Sequence, residues 1–280
     1  MSEVKIAGVQ MDIQFASLSQ NLETVLAKME EAAQCEAKLI VFPECTLSGY
    51  CYSDASEALE HSIDLDDPAF TTLAKRCKDL GVHVVVGFLE RDQTRIHNSI
   101  ACVGPEGVVS SYRKIHLPYL GVDRFTTPGN KISVFKVGGL NIGMNICYDC
   151  SFPEPSRVMM LQGADVIILP TNWPSTSGRT ADYIPNARAI ENHVYFVAIN
   201  RVGVERGFEF IGKSRIVDPS GKDLACADHR DEEILYATID CRRPRNKHLV
   251  NVPGEHEIDR LRDRRPEVYG PVCEATKSEE

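Results

Sequence analysis

Three side chains with complementary chemistry stand at the ends of predicted β-strands in this sequence. Glu44 offers a carboxylate, Lys114 an ammonium and Cys147 a thiol, groups that serve in proton transfer, charge stabilisation and nucleophilic attack. The thiol follows an apolar run and precedes Pro153, a residue suited to the first turn of a helix. Many hydrolases present their nucleophile on such a strand, sharp turn and helix. Because a cysteine more often only packs in the core, the thiol alone does not establish catalysis.

The elements that would hold these side chains alternate between strands and helices. Apolar and alternating runs predict strands at Val4–Met11, Leu39–Phe42, Val82–Leu89, Asn98–Val103, Val108–Tyr112, Ile132–Val137, Leu140–Ile146, Val166–Leu169, Tyr195–Asn200, Phe208–Ile211, Ser214–Asp218, Lys222–Ala227 and Ile234–Ile239. Apolar residues at helical spacing predict helices at Asn21–Ala37, Pro68–Leu80, Pro153–Gln162 and Asp182–Asn192. This many strands with interspersed helices indicate an α/β fold with two sheets packed together.

The remaining segments are predicted to be irregular. Residues 45–67, rich in turn formers and acids, are predicted to form a loop or lid, and the chain from Arg242 onward an irregular arm. No low-complexity linker interrupts the sequence, so residues 1–270 are predicted to form a single domain. Residues 271–280 are predicted to be a flexible tail.

Composition and charge exclude several classes of function. A chain of 280 residues with 43% apolar and 25% charged residues is typical of a large globular domain. The formal net charge of −9 argues against a nucleic-acid partner, because phosphate binding needs a concentrated basic surface. The sequence has neither a signal-peptide pattern nor an apolar run long enough to span a bilayer, which predicts a cytoplasmic protein with no membrane partner.

The ten cysteines are predicted to be reduced thiols, because no secretion signal accompanies them. Their spacing offers no paired zinc-binding knuckles, so no metal site is predicted. Cys147 and Cys150 have the C-x-x-C spacing of a redox pair. However, the chain carries far more strand than a thioredoxin-like fold, and Cys150 is interpreted as a packed thiol.

The three reactive segments, in this order and with these flanks, resemble the nitrilase superfamily of carbon–nitrogen hydrolases. The resembling segments are Val41-Phe42-Pro43-Glu44, Ser111 to Pro118, Asn145-Ile146-Cys147-Tyr148-Asp149, Phe152-Pro153-Glu154, Gly163-Ala164-Asp165, Ala187 to Asn192 and Gly212-Lys213-Ser214. The resemblance implies a four-layer α-β-β-α sandwich that forms a homodimer or a higher homo-oligomer. It also implies a catalytic set of Glu44, Lys114 and Cys147 that requires no metal or organic cofactor.

The chemistry of amide cleavage assigns a role to each of these residues. A thiol is only slightly ionised at neutral pH, so Glu44 would take the Cys147 proton and later return it to the leaving amine. Lys114 and the backbone N–H of Tyr148 would stabilise the oxyanion formed on attack. Water activated by Glu44 would then hydrolyse the acyl-thioester.

The loop after the lysine departs from the family pattern. Many family members carry a second glutamate six residues before the Pro of a Pro-Gly pair, but counting back from Pro128 reaches Val122. The nearest acid is Asp123, which a one-residue deletion would align, and we expect it to act as a supporting acid beside Lys114. His116 suggests a Cys–His protease as an alternative. The family pattern instead places this histidine in a supporting role.

The substrate is predicted to be a small amide, cleaved to an acid and ammonia. The stretches Gly203 to Phe208 and Asp263 to Gly270 are similar to those of amidase and carbamoylase members. Three alternatives remain open: an N-carbamoyl amine hydrolase of the carbamoylputrescine type, a true nitrilase, and a non-catalytic scaffold with the same fold. The acids of residues 54–67 would suit an amine-bearing substrate, although such acids commonly form a solvated surface.

The substrate pocket is predicted to include Asn172 and Trp173. Both follow the strand Val166–Leu169, which is expected to lie beside the strand that ends at Cys147. Ligands bind at the carboxyl ends of strands in parallel α/β sheets, and the rule is extended here by analogy. The alternative is that Trp173 packs in the core.

Overall fold

The computed structural model describes residues 3–274, which contain sixteen strands and five α-helices. The strands are β1 Glu3–Gln10, β2 Leu39–Val41, β3 His83–Asp92, β4 Arg95–Gly104, β5 Gly107–Arg113, β6 Val134–Val137, β7 Leu140–Met144, β8 Val166–Thr171, β9 Tyr195–Asn200, β10 Val204–Glu205, β11 Phe208–Glu209, β12 Arg215–Val217, β13 Asp223–Cys226, β14 Glu233–Asp240, β15 His248–Val252 and β16 His256–Asp259. The helices are α1 Leu18–Gln34, α2 Ala55–Glu60, α3 Pro68–Leu80, α4 Pro153–Leu161 and α5 Gly178–Asn192.

The structure contains two six-stranded sheets, and each has three adjacent parallel strands. The strand orders are β14-β1-β2-β3-β4-β5 and β13-β12-β9-β8-β7-β6. In the first sheet β1, β2 and β3 run parallel, and in the second β7, β8 and β9 do so. The parallel strands of each sheet therefore have their carboxyl ends at the same edge of that sheet. Glu44 follows β2 in the first sheet, and Cys147 and Asn172 follow β7 and β8 in the second.

The buried side chains define the layers of this fold. Apolar residues of both sheets, including Val85 of β3 and Ile168 of β8, form one cluster between the sheets. A second cluster joins the outer face of the first sheet to α1 and α3 through residues such as Met29 and Leu73. Helices α4 and α5 pack on the second sheet through side chains such as Met159. The predicted four-layer α-β-β-α sandwich is confirmed.

Helix α3 forms where the sequence predicts it because both of its ends carry strong signals. Asp67 caps the first turn by accepting the N–H of Ala69 at 2.9 Å, and Pro68 occupies the first helical position. Gly81 ends the helix in the left-handed conformation, at φ +64°.

Two segments that were predicted to be irregular contain regular structure. The predicted loop of residues 45–67 includes α2, a six-residue helix with a single buried residue, Ala58. The predicted irregular arm contains the β15–β16 hairpin. Both predictions are wrong for the same reason: these elements are short and mostly exposed, so they lack the apolar periodicity by which buried strands and helices are detected.

The chain divides into two compact units, one ending at Arg245 and one beginning at Asn246. The first unit contains both six-stranded sheets and the second contains the β15–β16 hairpin. The single domain of residues 1–270 stays a prediction. Of the predicted tail, Pro271 to Cys273 lie in a 3₁₀ turn, and residues 275–280 lie outside the described residues.

Candidate active site

Cys147 lies on a sharp turn immediately after β7. The chain passes from extended Ile146 into a 3₁₀ turn, Cys147–Ser151, and Cys147 itself adopts a left-handed conformation at φ +42°. Such strain at a residue other than glycine is uncommon and is often found at functional sites. The first hydrogen bond within the turn runs from the Asp149 N–H to the Ile146 carbonyl. The N–H of Tyr148 comes one residue before it in the chain. The N–H groups at a helix start have no partner within the helix, so this N–H suits an oxyanion.

Asp149 fixes this turn through contacts of both its carboxylate oxygens. Its Oδ2 accepts the Ile146 N–H at 3.0 Å and the Tyr112 hydroxyl at 2.8 Å. Its Oδ1 accepts the backbone N–H of His116 at 3.0 Å and lies 2.8 Å from the ring nitrogen Nδ1 of the same residue. The imidazole of His116 also stacks on Phe152, with ring centroids 3.9 Å apart. This geometry favours a supporting role for His116.

Glu44 is fully buried on the turn that follows β2. Its Oε1 accepts hydrogen bonds from Lys114 Nζ at 2.8 Å and from Asn98 Nδ2 at 2.7 Å. Its Oε2 is buried and has no hydrogen-bond partner among residues 3–274. A buried carboxylate oxygen without a partner costs free energy, and a proton or a substrate group would relieve that cost.

Asp123 lies on the other side of Lys114. Its Oδ2 accepts hydrogen bonds from Lys114 Nζ at 2.6 Å and from the Tyr50 hydroxyl at 2.8 Å. Its Oδ1 accepts the second amide hydrogen of Asn98 at 2.8 Å. Asn98 therefore bridges the carboxylates of Glu44 and Asp123, and the structure brings together the three charged residues predicted from the sequence.

Burial is the largest single influence on the pKa of each candidate catalytic group. Burial raises the pKa of the Cys147 thiol, the charge of Glu44 raises it further, and Lys114 and the Asn172 backbone N–H offset only part of the rise. Burial also raises the pKa of Glu44; the charge of Lys114 opposes this rise and that of Asp123 adds to it. Burial alone would lower the pKa of Lys114, but the two carboxylates hold it well above its usual range. The site thus combines a neutral thiol with a charged ammonium and an unusually basic carboxylate.

The parallel pairing of β7 with β8 brings Asn172 and Trp173 beside the thiol. The backbone N–H of Asn172 lies close enough to the Cys147 thiol to lower its pKa. The side-chain amide of Asn172 is buried, and neither its nitrogen nor its oxygen has a partner in the described part of the chain. Trp173 is 2% exposed and belongs to the same apolar cluster as Cys147. The backbone N–H of Trp173 is fixed by Asn200 Oδ1 at 2.8 Å.

Several acids of residues 54–67 already have protein partners. Asp54 caps α2, and Asp67 caps α3. Glu57 pairs with Arg206 and accepts the Ser53 N–H at 2.8 Å. These contacts account for three of the acids by local structure, without an amine-bearing substrate.

Neither a metal site nor a membrane-spanning helix is found within residues 3–274. No group of three or more His, Cys, Asp or Glu side chains in this range is arranged to hold a metal ion. No helix in the same range has the length and apolar character needed to cross a membrane.

Sequence reasoning did not identify three residues that organise the site: Tyr50, Asn98 and Asp149. Strand β4 carries several buried polar residues in a row, His97, Asn98 and Ser99, so nothing in its sequence distinguishes Asn98 as a site residue. Tyr50 and Asp149 lie in short irregular segments, where no periodic pattern marks a buried residue.

Comparison with known proteins agrees with this geometry. The family model described as Carbon-nitrogen hydrolase matches residues 5–246. The chain is 37% identical to a nitrilase of Pyrococcus abyssi over 95% of this chain and 99% of that protein. It is 32% identical to an (R)-stereoselective amidase of Pseudomonas sp. over 97% of this chain and 95% of that protein.

A solved structure agrees with the fold as well. The chain is 26% identical to Saccharomyces cerevisiae Nit3, described as a member of branch 10 of the nitrilase superfamily. The two structures have a TM-score of 0.78, with 87% of this chain and 92% of that chain covered. With its family match, its four layers and its buried Glu–Lys–Cys constellation, this chain belongs to the carbon–nitrogen hydrolase family of the nitrilase superfamily.

Proposed function

We propose that this protein is a cysteine-dependent amidohydrolase that cleaves a small linear amide to a carboxylic acid and ammonia. The observation that carries the proposal is the free oxygen of Glu44. This oxygen is buried and has no partner among residues 3–274. Glu44 is also close enough to Cys147 for its charge to raise the pKa of the thiol. A base of this kind is what a neutral thiol needs in order to attack a carbonyl carbon.

In the first half of the reaction, Glu44 accepts the thiol proton while Cys147 Sγ bonds to the carbonyl carbon. The oxyanion is stabilised by Lys114 Nζ, which has three hydrogens and uses two of them on Glu44 and Asp123. The N–H of Tyr148 provides a second donor. Glu44 then gives its proton to the leaving nitrogen, the C–N bond breaks, and ammonia departs from an acyl-thioester.

In the second half of the reaction, a water molecule takes the place of the amine. Glu44 accepts a proton from this water as it attacks the thioester carbonyl, and the C–S bond breaks when the tetrahedral intermediate collapses. The proton returns to the sulfur, which leaves the carboxylic acid and the original thiol. One residue thus acts as both base and acid, which suits a carboxyl group with a raised pKa.

Asn172 supports the choice of a small amide as substrate. Its carboxamide offers a donor and an acceptor that are buried and unpartnered within the described chain, and its backbone reaches the thiol. A substrate that carries both an N–H and a carbonyl would satisfy both atoms. The (R)-stereoselective amidase among the relatives supports the same class of substrate.

Nitrile hydrolysis is the second candidate. It is supported by the relative from Pyrococcus abyssi, which is a nitrilase by name. A nitrile would form a thioimidate with the same thiol, so the two candidates share their machinery and differ in substrate.

The test measures ammonia release from acetamide, propionamide, butyramide, a matched N-carbamoyl amine and the corresponding nitriles. We expect turnover of at least one amide, and loss of this turnover in Cys147→Ala and after treatment with iodoacetamide. Cys150→Ala is the matched control, because it removes a buried free thiol three residues away and should retain activity. Comparable turnover by Cys147→Ala would refute the mechanism, and turnover of nitriles alone would favour the second candidate. No turnover of any compound would favour a non-catalytic scaffold.

A further inference from the structure

A second buried ion pair lies outside the candidate catalytic set. Arg201 and Glu205, which follow β9, are almost completely buried, with 2.6 Å between Arg201 Nη1 and Glu205 Oε2. Arg201 Nη2 also donates to Asp12 Oδ1 at 2.7 Å, and its guanidinium lies over the ring of Phe210. Because burying two charges is costly, a pair of this kind needs good geometry and further hydrogen bonds.

The further hydrogen bonds of Glu205 go to the segment that follows the Glu44 turn. Its second oxygen, Oε1, accepts the backbone N–H groups of Tyr50 at 2.8 Å and Cys51 at 2.6 Å. Two backbone donors on one carboxylate oxygen fix the position of the chain, and charge-assisted bonds of this kind are stronger than neutral ones. Glu205 therefore determines where Tyr50 lies.

Tyr50 in turn holds the turn that carries Asp123. Its carbonyl accepts the Val122 N–H at 2.8 Å, and its hydroxyl donates to Asp123 Oδ2 at 2.8 Å. Its ring packs directly on Gly121, where a Cβ atom would come within 2.2 Å of the ring. Three independent contacts thus set the Asp123 carboxylate relative to the Tyr50 backbone.

This sequence of contacts ends at the candidate catalytic lysine. The oxygen of Asp123 that receives the Tyr50 hydroxyl also receives Lys114 Nζ at 2.6 Å, and Lys114 donates to Glu44 at 2.8 Å. A small displacement of Tyr50 would therefore shift the ammonium that is to meet the oxyanion. Misplacement of a catalytic group by about 1 Å can lower a rate by about a hundredfold.

We propose that Glu205 is a positioning residue for amide hydrolysis: it fixes Tyr50, whose hydroxyl and ring orient Asp123 beside Lys114. The inference rests on the proposed function for its chemistry. Glu205 has no direct contact with Glu44, Lys114 or Cys147 among its hydrogen bonds, and its link to the candidate catalytic set runs through Tyr50. It differs in this from a residue that merely stabilises the fold, whose loss would lower the amount of folded enzyme and leave the folded fraction fully active.

The test is a double-mutant cycle between Glu205→Gln and Tyr50→Phe, with kcat and KM measured on the amide that the wild-type protein cleaves fastest. We expect kcat to fall about 10- to 100-fold in Glu205→Gln and about tenfold in Tyr50→Phe, with KM changed by less than about twofold. Because Glu205→Gln is expected to break the hydroxyl contact that Tyr50→Phe removes, the double variant should be no slower than Glu205→Gln alone. Glu209→Gln is the matched control. Glu209 is an exposed acid of β11, the strand that pairs with β10 and its Glu205, and it forms an ion pair with Arg230. This variant should retain the wild-type kcat.

Additive effects in the cycle, or an unchanged kcat in Glu205→Gln, would overturn the inference. If Glu205→Gln does not fold, Glu205→Asp replaces it under the same criteria, since it keeps the charge and shortens the side chain by one methylene. A crystal structure of the variant gives a readout that does not depend on turnover. We expect the bond from the Tyr50 hydroxyl to Asp123 to be lost, and its retention at the wild-type distance would also overturn the inference. A wild-type protein without amidase activity would instead count against the proposed function, and the crystallographic result would still decide the positioning role.

Discussion

Lys114 Nζ lies 2.6 Å from Asp123 Oδ2, and both side chains are completely buried. A carboxylate one methylene shorter than glutamate reaches the ammonium because the 3₁₀ turn Gly121–Phe125 carries it inward, where Tyr50 holds it. Val122, the residue selected by counting without a gap, packs in an apolar cluster instead. The local geometry thus supports the one-residue offset inferred from the sequence.

The first prediction concerns Asp123. Asp123→Asn removes one of the two carboxylates that stabilise the Lys114 ammonium, and the new amide would direct a donor either at Lys114 or at Asn98. We expect kcat to fall about a hundredfold or more, in line with the loss of a preorganised electrostatic contact. Steady-state kinetics at saturating substrate measure this effect.

Val122→Ala is the control for that prediction. It removes buried methyl groups one residue away and should cost about 1–3 kcal/mol of unfolding free energy, while kcat stays close to that of the wild type. Full activity in Asp123→Asn would make Asp123 an ordinary loop residue. The second acid would then have to lie elsewhere.

The second prediction concerns the pH dependence of kcat/KM. Glu44 must be ionised to accept the thiol proton, and burial raises its pKa above the usual 4.5. Activity should therefore be lost as the pH falls, through a limb that lies above pH 4.5. Because burial also raises the pKa of the Cys147 thiol above its usual 9.0, we expect no second transition between that limb and pH 9.

Glu44→Gln provides the control for the acidic limb. It should lower kcat by about a hundredfold or more, as expected for the loss of a general base, and the residual rate should lack the acidic limb. An acidic limb at or below pH 4.5 in the wild type, or an unchanged limb in Glu44→Gln, would assign the titration to another group.

The charged members of the site could be predicted from the sequence because each stands in a short segment with a distinctive order of residues. Glu44, Lys114 and Asp123 were each found from their flanking residues, and the structure brings all three within hydrogen-bond distance of one another or of a shared partner. Asn98 illustrates what could not be found. It bridges Glu44 and Asp123 from a position 54 residues after the first and 25 residues before the second. Its role depends on strand pairing, which no local pattern records.

The same distinction applies to the fold. The first and last residues of helix α3 agree with the prediction, because a proline, an aspartate cap and a glycine mark its ends. The hairpin β15–β16 was not predicted, since its strands are mostly exposed and carry no apolar alternation. Strand β8 extends two residues beyond the prediction, through Pro170, because it pairs with β9 over its full length.

The third prediction concerns Gly87, which lies in β3 directly beneath the Glu44 turn. A Cβ atom there would lie 2.3 Å from Cys45 N and 2.7 Å from the Pro43 carbonyl oxygen, so the turn would have to move. Gly87→Ala should lower kcat by about tenfold or more, because Glu44 is displaced from Lys114, and should also lower the melting temperature. Kinetics and thermal unfolding measure the two effects.

Gly178→Ala is the matched control for Gly87. The first residue of α5 has no atom within 4 Å of an added Cβ, and alanine favours a helix, so both activity and stability should be retained or slightly raised. Wild-type kcat in Gly87→Ala would show that the position of Glu44 tolerates movement of its turn.

The last prediction concerns Trp173, the single tryptophan of the chain. It shares a buried apolar cluster with Cys147, and the residue before it contacts the thiol through its backbone. If the indole forms one wall of the pocket, adding propionamide or butyramide to Cys147→Ala should shift or quench the intrinsic fluorescence in a saturable way. Trp173→Phe should also widen the range of accepted acyl groups, since a smaller ring leaves more room in an apolar pocket. Unchanged emission where calorimetry shows binding, together with an unchanged substrate range, would make Trp173 a core residue whose ring does not reach the substrate.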